Sequence, residues 1–146
     1  MTTTKGEFSV STDADRLDLA FIHQFLSTEA YWSIGIPVSK VKKAAEHSLN
    51  FGLYHHDRQV GYARIITDYA RIAYLADVFI IPEYRGRGLA KFLMEQIMGH
   101  PDLQGLRRWM LQTSDAHGLY RQFGWGPAAK PETYMEVLKT GPFEEE

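Results

Sequence analysis

The sequence predicts a single α+β domain, with a mixed, mostly antiparallel central sheet flanked by helices on both faces. Three apolar or alternating segments, 51–56, 59–67 and 72–81, follow one another with only turn residues between them, the pattern of an antiparallel meander. Segments with helical spacing lie before and after that block, so the later strands must be brought in by crossovers. The length of 146 residues, with 45% hydrophobic and 23% charged residues, suits one ordinary globular domain spanning 1–146, with its core at about 8–138.

Taken in order, Phe8-Ser-Val-Ser-Thr12 alternates as a short strand does. Asp18 is placed to cap a helix carrying Leu19, Ile22, Phe25 and Leu26 on one face. Gly35 and Pro37 break that period, and Ser39 can cap a second helix to about Ser48. Segments 51–56 and 59–67 read as a hairpin turning at Asp57-Arg58. Residues 72–81 are almost continuously apolar, as a strand buried on both faces is, and Pro82 stops them. A helix from Gly88 to Met98 carries Leu89, Phe92, Leu93 and Ile97 at helical spacing. Arg108–Gln112 is the next strand. Ala116, Leu119, Tyr120 and Phe123 stripe a helix over 115–123, and 133–138 closes as a final strand.

Composition excludes several function classes. There is no cysteine, hence no disulfide, zinc-thiolate site or cysteine nucleophile. A net charge of −2 argues against nucleic-acid or polybasic membrane binding. The longest apolar runs, Ile72–Ala76 and Val78–Ile81, are far too short to span a bilayer, and the N-terminus has no apolar stretch of signal-peptide length. A cytoplasmic location is expected. His55 and His56 are adjacent on a strand and should point to opposite faces, so no shared metal is expected.

Chemistry concentrates in Pro82-Glu-Tyr-Arg-Gly-Arg-Gly-Leu-Ala-Lys91. A buried strand ends, a glycine-rich turn follows, and a helix begins at once. Gly86 and Gly88 let backbone approach a ligand closely. The first N–H groups of the helix lack intrahelical partners and carry the positive end of its dipole. With Arg85, Arg87 and Lys91 alongside, the pattern predicts a phosphate or pyrophosphate site; the alternative is a strand-to-helix turn with solvated arginines.

Val78-Phe-Ile-Ile-Pro-Glu-Tyr-Arg-Gly-Arg-Gly-Leu-Ala90 resembles the acetyl-CoA-binding signature of the GNAT-type N-acetyltransferases, Arg/Gln-x-x-Gly-x-Gly/Ala after a hydrophobic strand, met by Arg85, Gly88 and Ala90. Thr113-Ser-Asp-Ala-His-Gly-Leu-Tyr-Arg-Gln-Phe-Gly-Trp125 resembles that family's second signature, and the element order matches over about 8–138. The resemblance implies the GNAT fold and acetyl-CoA as co-substrate, with no metal. It implies that the backbone at Val78, Phe79 and Ile80 binds the pantetheine arm, often at a β-bulge. It implies that Arg85, Gly86, Arg87, Gly88, Leu89, Ala90 and Lys91 wrap the pyrophosphate. Tyr120 matches the tyrosine near the thioester sulfur. Thr113 stands where the family commonly has an asparagine on the cofactor arm, and Ala76 where some members carry a catalytic glutamate.

Without cysteine, direct attack of an amine on the thioester in a ternary complex is the simplest route. Tyr120 can serve as acid toward the leaving thiolate, or as a core aromatic. Asp77 is the one ionisable side chain inside the buried strand: a base or amine-binding group, or the partner of Arg64 or Arg71. Tyr31 and Trp32 lie where the family builds its acceptor pocket and can hold a cation over their rings. The expected activity is acetyl transfer to a primary amine of a small molecule. The alternatives are an acyl-CoA-binding regulatory module and a protein lysine or N-terminal acetyltransferase. A homodimer is plausible by analogy, and no nucleic-acid or membrane partner is expected.

Overall fold

The meander lies at the centre of the computed structural model, which describes residues 1–144; the last two glutamates of the acidic tail lie outside it. Six strands form one sheet in chain order: β1 (Thr2–Lys5), β2 (Phe8–Ser11), β3 (Leu49–His55), β4 (Arg58–Thr67), β5 (Ile72–Ile80) and β6 (Arg108–Met110). All neighbours pair antiparallel except β5 and β6, which are parallel because the helix between them carries the chain back across the sheet. Among the described residues the α-helices are α1 (Leu19–Thr28), α2 (Val38–Glu46), α3 (Leu89–Met98) and α4 (His117–Arg121).

Helices cover both faces. On one side α1 buries Ile22, Phe25 and Leu26, and Phe25 stacks on Phe79 of β5 at 3.9 Å between ring centroids. On the other, α3 buries Leu89, Phe92, Leu93, Met94 and Ile97, and Phe51 of β3 meets the edge of His100 just past it. The expectation that 72–81 is buried on both faces holds only at its end, at Phe79 and Ile80; Ala73 and Leu75 are buried on one face, while Ile72 is exposed and Tyr74, Ala76 and Val78 are half-buried on the other, where β5 borders an open cleft. Asp18 caps α1 through a bond from the Phe21 N–H, as its spacing predicts.

Four local expectations are corrected. β1 was not anticipated, because Thr-Thr-Thr-Lys on a sheet edge has no apolar alternation. The cap of α2 is Pro37, while Ser39 Oγ is buried without a hydrogen-bond partner among the described residues. α4 is only five residues long. The Thr113 hydroxyl accepts from the Ala116 N–H and holds 113–116 as a turn, and Gly124 at φ +87° ends the other side. Finally, 133–138 forms no strand; it leaves the sheet with Met135 97% and Val137 91% exposed.

Candidate active site

The loop after β5 has the geometry of an anion site. Gly86 and Gly88 both adopt left-handed backbone, φ +78° and +74°, and a Cβ at either would meet only open space. Gly88 is also the residue before α3, and no side chain caps that helix. The first bond of α3 runs from the Phe92 N–H to the Gly88 carbonyl, so the N–H groups of Leu89, Ala90 and Lys91 are left for a ligand. Leu89 contributes only backbone there, since its side chain belongs to the core. Arg85 is anchored through Nε to the Ile80 carbonyl at 2.8 Å, which aims its fork without consuming it. Arg87 lies over the Tyr84 ring at 4.9 Å and donates to the Glu83 carbonyl. Glu83, the carboxylate within Pro82–Lys91, faces Arg58 at 3.4 Å, which offsets its charge beside the loop's cations. Lys91 is exposed on the first turn of α3.

Upstream of that loop the sheet is split. Tyr62 pairs with Phe79 and Arg64 with Ala76, so Ala63 faces two residues, Asp77 and Val78. This is a β-bulge, with Asp77 at φ +55°. Aspartate tolerates the left-handed region better than most residues, and two side chains hold it there. Trp32 Nε1 donates to Oδ1 and Arg64 Nε to Oδ2, each at 2.9 Å. On its other edge, β5 pairs with β6 only over Ile72–Tyr74. Beyond Tyr74 the two strands diverge, and a cleft of about 370 Å³ opens between them.

That cleft gathers residues which the sequence marks separately. Tyr31, Trp32, Asp77, Val78, Thr113 and Tyr120 all line it. Tyr31 meets Trp32 edge-on at 5.0 Å and accepts a hydrogen bond from Ser114 Oγ at 2.7 Å. Phe79 and Ile80 send their side chains into the core and offer only backbone. Tyr120 is 7% exposed; burial pushes its phenol up to about 12, with Asp115 and Tyr31 adding to the rise. The Thr113 hydroxyl is engaged by the Ala116 N–H, so it shapes the turn before α4. Gln112 and Ser114 also line the cleft and were not singled out from sequence; their only signal is adjacency to Thr113.

The histidine pair departs from expectation. The hairpin turns at His56-Asp57, with His55 opposite Arg58. His56 takes φ +53°, which breaks the strand alternation and brings its ring to 4.7 Å from that of His55. Glu7 sits between them, at 3.5 Å from His55 Nε2 and 3.4 Å from His56 Nε2. His55 Nδ1 bonds the Tyr84 hydroxyl at 2.8 Å, which ties this corner to the loop that starts at Arg85.

The model of the acetyltransferase (GNAT) family matches residues 16–125. A Gibberella zeae protein named as an acetyltransferase is 34% identical over 140 residues, covering 80% of this chain and 77% of its own length. A Prochlorococcus marinus protein named as an N-acetyltransferase is 35% identical over 115 residues, covering 75% of this chain and 63% of its own length. The crystal structure of a GNAT-family protein from Xanthomonas campestris superposes with a TM-score of 0.89 at 52% identity, over 90% of this chain and 93% of that one. An acetyltransferase from Clostridium acetobutylicum, solved with acetyl-CoA, shares the fold at 12% identity and a TM-score of 0.65, over 94% of this chain and 96% of that one. With its uncapped helix N-terminus, its bulged central strand and a family match over most of its length, the chain belongs to the GNAT acetyltransferase family and is an N-acetyltransferase.

Proposed function

We propose that the protein transfers an acetyl group from acetyl-CoA to the primary amine of a small molecule, by direct attack within a ternary complex. The observation that carries this reading is the free edge of β5. Beyond its last pairing with β6 at Tyr74 the strand lines the cleft through Tyr74–Val78, opposite Tyr120 and the Tyr31–Trp32 wall, and the same strand runs on to Ile80 and the glycine turn before α3. The co-substrate supplies an acyl carbonyl activated as a thioester, with a thiolate as leaving group.

The chain's residues do the rest by placement. The N–H groups of Leu89, Ala90 and Lys91, with Arg85 and Arg87, hold the pyrophosphate. Backbone at Val78–Ile80, freed from β6, orders the arm and offers an N–H to the carbonyl oxygen. Tyr120 remains protonated at neutral pH and donates a hydrogen bond to the sulfur. Asp77 has both carboxylate oxygens engaged by Trp32 and Arg64. This favours a positioning role, in which Asp77 fixes the bulge and the indole and adds negative potential toward a cationic amine. The amine proton then leaves through water. A cleft of about 370 Å³ suits a compact acceptor rather than a polypeptide.

The test is a panel of primary amines, with thiol release followed after mixing with acetyl-CoA. Amine-dependent release, with acetylated amine recovered, is the expected result. A melting-temperature rise with CoA but no turnover on any amine would leave the regulatory module. Turnover on peptides alone would leave the protein acetyltransferase.

A further inference from the structure

Three metal-ligating side chains meet at the corner where two hairpin turns touch. Glu7 lies in the turn between β1 and β2, and His55 and His56 lie at the turn between β3 and β4. One ligand atom from each of the three lies within 4.8 Å of the other two. The Glu7 carboxylate is 3.5 Å from His55 Nε2 and 3.4 Å from His56 Nε2. A zinc ion bound at about 2.0–2.1 Å by tetrahedrally disposed ligands holds those ligands about 3.3–3.4 Å apart. Both carboxylate–imidazole edges are already close to that length.

Each ligand is also held by something besides the other two. The His56 N–H donates to the Glu7 carbonyl at 3.1 Å, which joins the two turns through backbone. The left-handed backbone of His56 keeps its ring beside that of His55. His55 stacks on Phe8 at 4.8 Å between ring centroids, and its Nδ1 meets the Tyr84 hydroxyl at 2.8 Å. With Nδ1 donating to the Tyr84 oxygen, the lone pair is on Nε2, the nitrogen that faces Glu7. That Nε2 is shut off from solvent and has no hydrogen-bond partner among the described residues. A lone pair facing a carboxylate oxygen is repelled unless a proton or a metal ion stands between them. Arg58, opposite His55 in the hairpin, is bound to Glu83 at 3.4 Å rather than to Glu7.

Two imidazoles and one carboxylate suit a zinc-class divalent cation, whereas magnesium and calcium favour sites made of oxygen alone. Three protein ligands leave a fourth position open. Glu7 and His56 are both about two-thirds exposed, so the corner also has an entry path.

We propose that Glu7, His55 and His56 form a binding site for a zinc-class divalent cation, with water as the fourth ligand. None of the three lines the acceptor cleft, so the site is additional to the proposed function and does not rest on it. The bound ion ties the β1–β2 turn to the β3–β4 turn and fixes His55 against Tyr84, the residue before Arg85 of the glycine turn. The two turns come together only in the folded chain, so the ion binds the native state and stabilises it.

The test uses the full chain, free of tags and stripped with EDTA, at about pH 8, where ordinary imidazoles with a pKa of about 6.5 are neutral and a proton no longer competes for the place. Titration calorimetry with zinc chloride should give one ion per chain, and excess zinc should raise the melting temperature by several degrees. Magnesium chloride at the same concentration should do neither. Glu7→Gln removes the anionic ligand from an exposed position, and His56→Asn removes an imidazole but keeps a residue that tolerates φ +53°. Each should weaken zinc binding by roughly tenfold or more, with the metal-free melting kept. His47→Gln, at an exposed histidine elsewhere, should bind as the wild type does. Cobalt(II) in place of zinc should show the strong visible absorption of a four-coordinate site. The proposal is overturned by an absence of zinc binding, by several equivalent ions per chain, or by binding that survives Glu7→Gln and His56→Asn. Equal loss in His47→Gln, or the faint cobalt spectrum of the six-coordinate aqua ion, overturns it too. None of these readouts involves acetyl-CoA or an amine, so they stand whatever the amine panel gives.

Discussion

Replacing Tyr120 by Phe separates chemistry from packing at the centre of the cleft. The ring stays, so its contact with Trp125 at 6.0 Å and most of its buried surface stay too. What is lost is the hydroxyl, and with it the donor proton. With the phenol pushed up to about 12, Tyr120 is a far weaker acid than an ordinary thiol at about 8.5. Full transfer of that proton to a thiolate is uphill by about 3.5 units, or roughly 5 kcal/mol. The hydroxyl therefore serves best as a hydrogen-bond donor to sulfur as its charge develops. A hydrogen bond to a charged group contributes about 1.5–3 kcal/mol, which corresponds to a roughly 10- to 150-fold fall in kcat. The assay is thiol release with the acceptor found by the amine panel, on the same preparation used for thermal melting and CoA titration. The expected outcome is an unchanged melting temperature, unchanged CoA affinity and a kcat lower by that factor. An undiminished kcat in a stable variant refutes the role. A fall in melting temperature with kcat kept per folded molecule makes Tyr120 a core residue. Since a group at about 12 does not titrate below pH 10, an acid limb in the wild-type rate should persist in Tyr120→Phe.

Four further outcomes are expected. Arg87→Glu sets a carboxylate against the pyrophosphate, so the rise in melting temperature on adding CoA should shrink markedly while the unliganded melting stays close to wild type. Gly88→Asn keeps a residue that tolerates φ +74° but brings a side chain into the open space over the α3 N-terminus; CoA binding should weaken with little loss of stability, and normal binding would count against the loop. Arg64→Met leaves the Asp77 carboxylate without its ion partner at a site where both side chains are only 16% exposed. It should destabilise by about 3 kcal/mol, and adding Asp77→Asn should recover much of that in chemical denaturation. His100 is 4% exposed, and burial lowers its pKa below the ordinary 6.5. Its folded pKa is depressed, so the unfolded chain binds the proton more readily. Its contribution is intact above pH 6.5 and is lost as pH falls below that value. His100→Asn, which can still accept from the Asp102 N–H, should flatten the stability profile below pH 6.5.

Several features follow from short-range chemistry alone. The apolar run 72–81, the stop at Pro82, the pair Gly86 and Gly88, and the Leu89/Phe92/Leu93/Ile97 stripe each carry their structure within a few residues, because period, φ preference and missing Cβ atoms are local properties. The glycine turn before α3 and the family signatures were legible for the same reason. Tertiary structure decided whatever depended on a distant partner. Asp77 takes left-handed backbone because Arg64, thirteen residues away, and Trp32, forty-five away, hold its carboxylate. His55 and His56 share one side because a two-residue turn pulled His56 out of alternation, against Glu7 from another hairpin. Thr113 was spent on the turn before α4. Residues 133–138 have a strand's pattern yet lie outside the sheet. Alternation specifies how side chains divide between two faces; only the geometry of the preceding turn decides whether the backbone reaches a sheet edge.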